Sequence, residues 1–288
     1  MDSTEKGFVT ILTGLYSYQD CIHFIASVRK FHQEPIVIFI ARVPFLLQSF
    51  LHCFKDVILL PAPSLENPVL ASRIAKISLY EASPFEKTIF LDCDICLLSP
   101  IGEIFDDLNH HDLVITKDVV PCMTEAQTLL RSNQSWTEET NVVPIFQAAN
   151  LPVTENTIHY NSGMMAFRRT PTVEHLFLEY SRFFKDVILK NQDIFRVRDQ
   201  GALAAAIEVV KPNIKTLSPT YNFLSKWKEV YGTLTDPIKV LHCTYPLRPQ
   251  YAKEVSRSFP TRLFDRIAKL ILPNQTANPW RSSKADLP

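Results

Sequence analysis

Apolar residues recur along this chain in two rhythms, and their alternation predicts the architecture. Phe8 to Thr13 (FVTILT) is an apolar run of strand length, and Pro35 to Ala41 (PIVIFIA) is nearly uninterrupted, as a strand buried on both faces requires. Between them, Asp20 to His32 repeats apolar positions at helical spacing, which completes a βαβ unit. Asp56 to Leu60 predicts a third short strand and Pro68 to Ala82 a helix. Lys87 to Leu91 (KTIFL) predicts a fourth strand that runs straight into Asp92. The first hundred residues read as a doubly wound α/β half.

The rhythm then loosens and returns. Ile101 to Leu108 predicts a short helix and Asp112 to Thr116 a strand, while Pro121 to Asn156 is polar, proline-punctuated and aperiodic. Such a stretch is read as loops and short helices, where recognition of a variable partner resides. His159 to Arg168 (HYNSGMMAFR) alternates like a strand around a glycine. A long helix follows from Pro171, whose ring suits a first turn, to about Leu189. A second helix spans Asp199 to Val209, and Lys239 to His242 is a late strand. Toward the end, Phe264, Ile267, Leu270 and Ile271 recur at helical spacing beside Arg262, Arg266 and Lys269. Between Arg248 and Lys284 there are eight Lys/Arg against two acids.

Composition narrows the classes. With 288 residues, 46% hydrophobic and 21% charged, the chain has the balance of a folded globular protein with an ample core. Lys plus Arg equals Asp plus Glu at 30 each, so no overall field draws it to nucleic acid. No run approaches the roughly 18 apolar residues of a membrane span. The opening MDSTEKGFVT is acidic, without a basic segment leading into an apolar one, which predicts a cytoplasmic protein. Six scattered cysteines (Cys21, Cys53, Cys93, Cys96, Cys122, Cys243) read as reduced thiols and not as a disulfide framework.

The chemistry concentrates at Asp92-Cys93-Asp94. Open parallel sheets bind ligands beyond the carboxyl ends of their strands. Two carboxylates there are costly to desolvate unless something positive compensates. A hard cation, Mn²⁺ or Mg²⁺, suits carboxylate oxygens and leaves positions free for phosphate oxygens. The plainer reading is a pair of surface acids capping the helix that starts near Ile101.

The segment TIFLDCDICLLSPI resembles the metal motif of GT-A glycosyltransferases, particularly glycosyltransferase family 8 and related nucleotide-diphospho-sugar transferases. Three further segments are similar to that family's in the same order: YNSGMMAF (Tyr160 to Phe167), RDQGAL (Arg198 to Leu203) and LHC (Leu241 to Cys243). With the opening FVTILTGLYSY, the resemblance spans residues 8 to about 250. It implies an α/β GT-A fold, Rossmann-like, with a mixed central sheet flanked by helices. Residues 1–110 would form a nucleotide-binding half, 111–250 a sugar and acceptor half, and 251–288 a basic extension.

Carried onto this chain, the resemblance implies that Asp92, Asp94 and His242 hold the metal, with Asp92 also near the ribose. Thr13, Gly14 and Tyr16 would hold the base, and Arg73 and Lys76 would supply cations for the diphosphate. Asn161, Ser162 and Gly163 would line the sugar, Asp199 would bond its hydroxyls, and Gln200 would lie beside the anomeric carbon. The implied reaction is transfer from a nucleotide-sugar, UDP by resemblance, to a glycan, lipid-linked or protein hydroxyl. Retention is expected by front-side substitution, because an amide is a poor nucleophile for double displacement.

After the late histidine the family has a glycine and a lysine-proline-tryptophan run, where this chain reads HCTYPLRP; by the resemblance Arg248 would stand in for that lysine as a phosphate ligand. Other readings of the same residues are a haloacid-dehalogenase-like phosphatase using Asp92, a catalytically silent nucleotide-binding module, and a Cys93/Cys96 redox or zinc pair. For the NSG segment the alternative is a β-bulge in a core strand, and for Asp199 a helix N-cap. The basic C-terminal segment reads either as a peripheral membrane contact or as an ordinary packed helix.

Overall fold

The predicted apolar runs become the middle of one sheet. The computed structural model describes residues 4–15, 17–122, 143–192, 198–224, 231 and 234–242. Along the first part of the chain come β1 (Thr4–Thr13), α1 (Tyr18–Phe31), β2 (Ile36–Ala41), α2 (Phe45–Leu51), β3 (Val57–Pro61), α3 (Pro68–Ile77), α4 (Leu79–Ala82) and β4 (Phe85–Leu91). Then follow β5 (Ile95–Leu97), α5 (Glu103–Asp107), β6 (Leu113–Cys122), α6 (Val143–Ala148), β7 (Ile158–Arg168), α7 (Pro171–Phe183), α8 (Gln200–Val210), β8 (Ile214–Leu217), β9 (Phe223–Leu224) and β10 (Val240–His242).

A seven-stranded sheet has the order β3-β2-β1-β4-β7-β6-β8, with only β7 running antiparallel to its neighbours. This is the mixed α/β sheet flanked by helices that the sequence predicts. Alternate residues of one strand feed opposite faces, as the twofold strand period demands. Val9, Ile11 and Phe90 join the layer under α3, α7 and α8, whereas Phe8, Leu12, Ile89 and Leu91 join the layer under α1 and α5. Truncating a side chain such as Phe90, fully buried, would cost about 3–5 kcal/mol. A second sheet, β5-β10-β9, caps the carboxyl edge of the first.

Two expectations change. The helix over Pro68 to Ala82 breaks at Ser78, where φ is −102° and ψ 8°, and the Ser78 hydroxyl donates to the Ile74 carbonyl. That back-bond competes with the helical ladder. The long helix from Pro171 keeps α geometry only to Phe183 and continues as a π turn over Phe184–Ile188. No described helix is long and apolar enough to cross a membrane. The segment 251–288, with its membrane-contact reading, lies outside the described residues, as do Tyr16 and Arg248.

Candidate active site

At the end of β4 the chain turns sharply. The Asp92 amide donates to the Gly163 carbonyl at 2.7 Å, and the Ile95 amide reaches back to the Asp92 carbonyl at 3.0 Å, which swings Asp94 beside Asp92. Antiparallel pairing sets His242 opposite Ile95, so the late strand delivers the imidazole to the same turn. One ligand atom from each of Asp92, Asp94 and His242 can be chosen so that all lie within 4.8 Å of one another. His242 Nε2 is 3.4 Å from Asp94 Oδ1.

The imidazole is oriented from behind. Nδ1 lies 3.0 Å from Asn222 Oδ1, and Asn222 Nδ2 donates in turn to Thr116 Oγ1 at 3.1 Å. With Nδ1–H donating to Asn222, a neutral ring turns its Nε2 lone pair to the carboxylates, which is how metal-binding histidines are supported. Two carboxylates and one imidazole, converging on one point with a hydrogen-bonded second layer, fit a divalent cation such as Mn²⁺. Burial lowers the His242 pKa, but the Asp94 and Asp92 carboxylates outweigh it and raise the pKa above its ordinary value. Close packing makes Gly163 necessary: a Cβ there would sit 2.5 Å from His242 Cε1 and 3.1 Å from Asp92 Oδ2.

Cations arrive on α3. The Asn67 side chain caps this helix by accepting from the Val69 and Leu70 amides. Three residues apart on one face, Arg73 and Lys76 both point to the acids. Lys76 is fully buried, with Nζ 2.9 Å from Asp92 Oδ1, 3.3 Å from the Ser162 carbonyl and 5.0 Å above the Phe90 ring. Arg73 Nε lies 3.1 Å from Asp199 Oδ1. Tyr180 from α7 donates its hydroxyl to Asp199 Oδ2, and Ser162 adds a further bond. Burial pushes the Asp199 carboxyl up, but Arg73 and Lys76, with those two hydroxyls, hold it far below the usual carboxylate range.

The NSG segment is both a bulge and part of the site. Between Ile115 and Lys117 β6 advances two residues while its partner β7 advances five, from Met165 to Tyr160. The surplus lies in Asn161–Met164. A reciprocal shift follows on β6 between Lys117 and Cys122. Bulges re-aim side chains next to active sites. Here they bring Asp118 to Asn161 and Gln200: Asn161 Nδ2 donates to Asp118 Oδ1 at 3.0 Å, and Gln200 Nε2 to Asp118 Oδ2 at 2.9 Å. Sequence reasoning misses Asp118. Its only signal is an acid two residues beyond the apolar run LVIT, the grammar that also marks Asp92.

The remaining expected residues fall as follows. Gly14 has φ +81°, a backbone that glycine adopts without strain, and its amide donates to the Ala41 carbonyl. The Thr13 hydroxyl donates its one proton to the Pro68 carbonyl at 2.7 Å, which leaves its oxygen only an acceptor role toward a ligand. Asp199 occupies the N-cap position of α8, yet its side chain makes no capping bond. Nor do Asp92 and Asp94 cap α5, whose N-cap is Gly102. Cys93 sits in the turn and Cys96 in β5, neither in a disulfide, and burial pushes the Cys93 thiol well up, away from redox reactivity.

No protein-family model matches the sequence, and no curated protein sequence matches it. Solved structures do match in three dimensions. The bifunctional glycosyltransferase WbbM, in its apo form, superposes with a TM-score of 0.61 at 14% identity, over 92% of this chain and 52% of that one. This chain thus spans about half of WbbM. The galactosyltransferase LgtC, solved with donor and acceptor sugar analogues, gives a TM-score of 0.58 at 13% identity, covering 96% of this chain and 99% of that one. Mouse xyloside xylosyltransferase 1, apo form, gives 0.52 at 13% identity, over 83% and 98%. These likenesses establish the fold as GT-A-type.

Proposed function

We propose that this chain is a metal-dependent glycosyltransferase that moves a sugar from a nucleotide-diphosphate donor, UDP by resemblance, to an acceptor hydroxyl with retention. The observation that carries the proposal is the Asp92–Asp94–His242 cluster at the carboxyl edge of a GT-A-type sheet, with Lys76 and Arg73 beside it. A bound Mn²⁺ would supply charge neutralisation for the departing diphosphate.

The chain's own groups do the rest. Lys76, already paired with Asp92, is placed to share its charge with a phosphate oxygen. Asp199 is held rigid by Arg73, Tyr180 and Ser162, so that the rim of the sugar pocket is fixed before binding. Gln200 lies at the start of α8, where the resemblance puts the anomeric carbon, and it offers an amide and not a carboxylate, which favours front-side substitution. The leaving diphosphate would then take the acceptor hydroxyl's proton. Residues 1–250 carry this chemistry in our reading, and 251–288 is a basic extension for peripheral contact with an anionic membrane. The acceptor class is a glycan, lipid-linked or protein hydroxyl.

The test is a turnover screen of UDP- and GDP-sugars with Mn²⁺, with anomer analysis of the product. We expect hydrolysis or transfer that is lost in Asp92→Asn and Asp94→Asn, and a product of unchanged anomeric configuration. Turnover that persists in both variants, or release of phosphate from simple phosphomonoesters instead, contradicts the proposal.

A further inference from the structure

We propose that the buried His159 is a positioning residue that, through Asp118, locks the side-chain amides of Gln200 and Asn161 in single orientations at the sugar face. The inference rests on the transferase reading for its catalytic consequence, but not for the lock itself.

Asp118 is at the centre of the arrangement. Its Oδ1 accepts from Asn161 Nδ2 at 3.0 Å and its Oδ2 from Gln200 Nε2 at 2.9 Å, while its side chain is only 11% exposed. Gln200 Nε2 has a second acceptor in the Tyr160 carbonyl at 3.1 Å, so both of its protons are used. The only end of that amide left for a ligand is Oε1. Flipping the group would set Oε1 against a carboxylate and a carbonyl with no proton between them, which a half-buried site does not tolerate. Asn161 is fixed by the same logic, because its Oδ1 accepts from the Gly163 amide at 2.9 Å. The same bond sets the Gly163 backbone that faces His242 and Asp92.

The lock works only while both Asp118 oxygens stay within reach of the two amides. His159 bears on this. Its side chain is 2% exposed, and Nδ1 lies 3.2 Å from Asp118 Oδ2, close but not aligned as a hydrogen bond. Neither ring nitrogen has a hydrogen-bond partner among the described residues. The ring therefore bears on Asp118 through close packing in a buried site and not through a hydrogen bond. With the His159 ring packed 3.2 Å from Oδ2, the carboxylate cannot swing out of reach, and both amides stay put. Gln200 then presents a carbonyl dipole, negative end outward, to positive charge developing on the sugar.

The experiment uses the full chain. Isotope-labelled protein, with the Gln200 side-chain signals identified by their loss in Gln200→Ala, reports hydrogen exchange of the two Nε2 protons, and steady-state kinetics are run with the best donor and Mn²⁺. In His159→Leu we expect exchange faster by about tenfold or more, kcat lower by up to about 10²-fold, and donor KM within about twofold. His159→Gln, which keeps a polar group of similar reach, should recover part of both. If His159→Leu does not fold, Asp118→Asn, nearly the same shape without the charge, should give the same pair of effects. Unchanged exchange and kcat in these variants overturn the lock. Faster exchange together with a wild-type protein that turns over no nucleotide-sugar supports the lock and sinks the transferase reading.

Discussion

His242 is subject to two opposed tendencies, and which of them wins fixes a measurable behaviour. Burial favours the neutral ring, whereas the neighbouring Asp94 and Asp92 favour the cation, and the carboxylates prevail. A metal needs the neutral Nε2, so proton and metal compete for one site. Below the raised pKa of His242, each unit fall in pH should weaken Mn²⁺ binding by about tenfold, and above it affinity should level off. Calorimetric titration between about pH 6 and 8 reads this directly; a flat profile would exclude His242 as a ligand. At this scale the sequence is informative where residue types cluster: Asp92, Asp94, Asn161, Ser162, Asp199, Gln200 and His242 do converge, as their motifs imply. Asp118 carries only the faint signal of an acid beyond an apolar run, and His159 and Asn222 are illegible because each acts on another side chain across a bulge or a strand pair, which no local pattern records.

Among the elements, α3 and α8 determine the site more than any strand does. Asn67 caps α3 and so fixes where Arg73 and Lys76 emerge, while α8 begins at the residue after Asp199 and sets the height of Gln200. The link between these helices is the buried carboxylate of Asp199, held from α3 by Arg73 and from α7 by Tyr180. Its folded pKa lies below the unfolded value, so this carboxylate contributes stability above the ordinary value of about 3.9, and the contribution is lost as pH falls toward the folded one. Tyr180→Phe leaves one oxygen short of a donor and should lower stability at neutral pH by about 1–2 kcal/mol, with a smaller loss in acid. Denaturant melts at both pH values check this; equal losses would mean that the hydroxyl does not support the charge. Long periodic elements were legible in the sequence. Of the short ones, β3, α5 and β10 were also legible, but others were not: α2 (FLLQSFL) is apolar without a period, and β5 and β8 are too brief to alternate.

Over the whole molecule, a parallel half and an antiparallel return are joined at one edge. Strands β3, β2, β1 and β4 form the parallel half that the sequence predicts, and β7 then enters against the grain beside β4. That reversal lays the NSG bulge along the end of β4, next to Asp92. The small sheet brings position 242 back to the turn after β4 through its pairing with β5, a closure between residues some 150 apart that periodicity does not reveal. Each piece of the site thus depends on a different long-range pairing, and a ligand bound there should stabilise the entire fold by mass action. The most direct measurement is calorimetry of UDP binding with and without Mn²⁺, in the wild type and in Asp92→Asn and Asp94→Asn. We expect binding that requires the metal in the wild type and is lost in both variants, with the melting temperature of Asp94→Asn near the wild-type value and that of Asp92→Asn lower, because the buried Lys76 loses its partner. Binding of equal strength without Mn²⁺, or retained in both variants, would contradict the claim that this acidic turn anchors a cation against a nucleotide diphosphate.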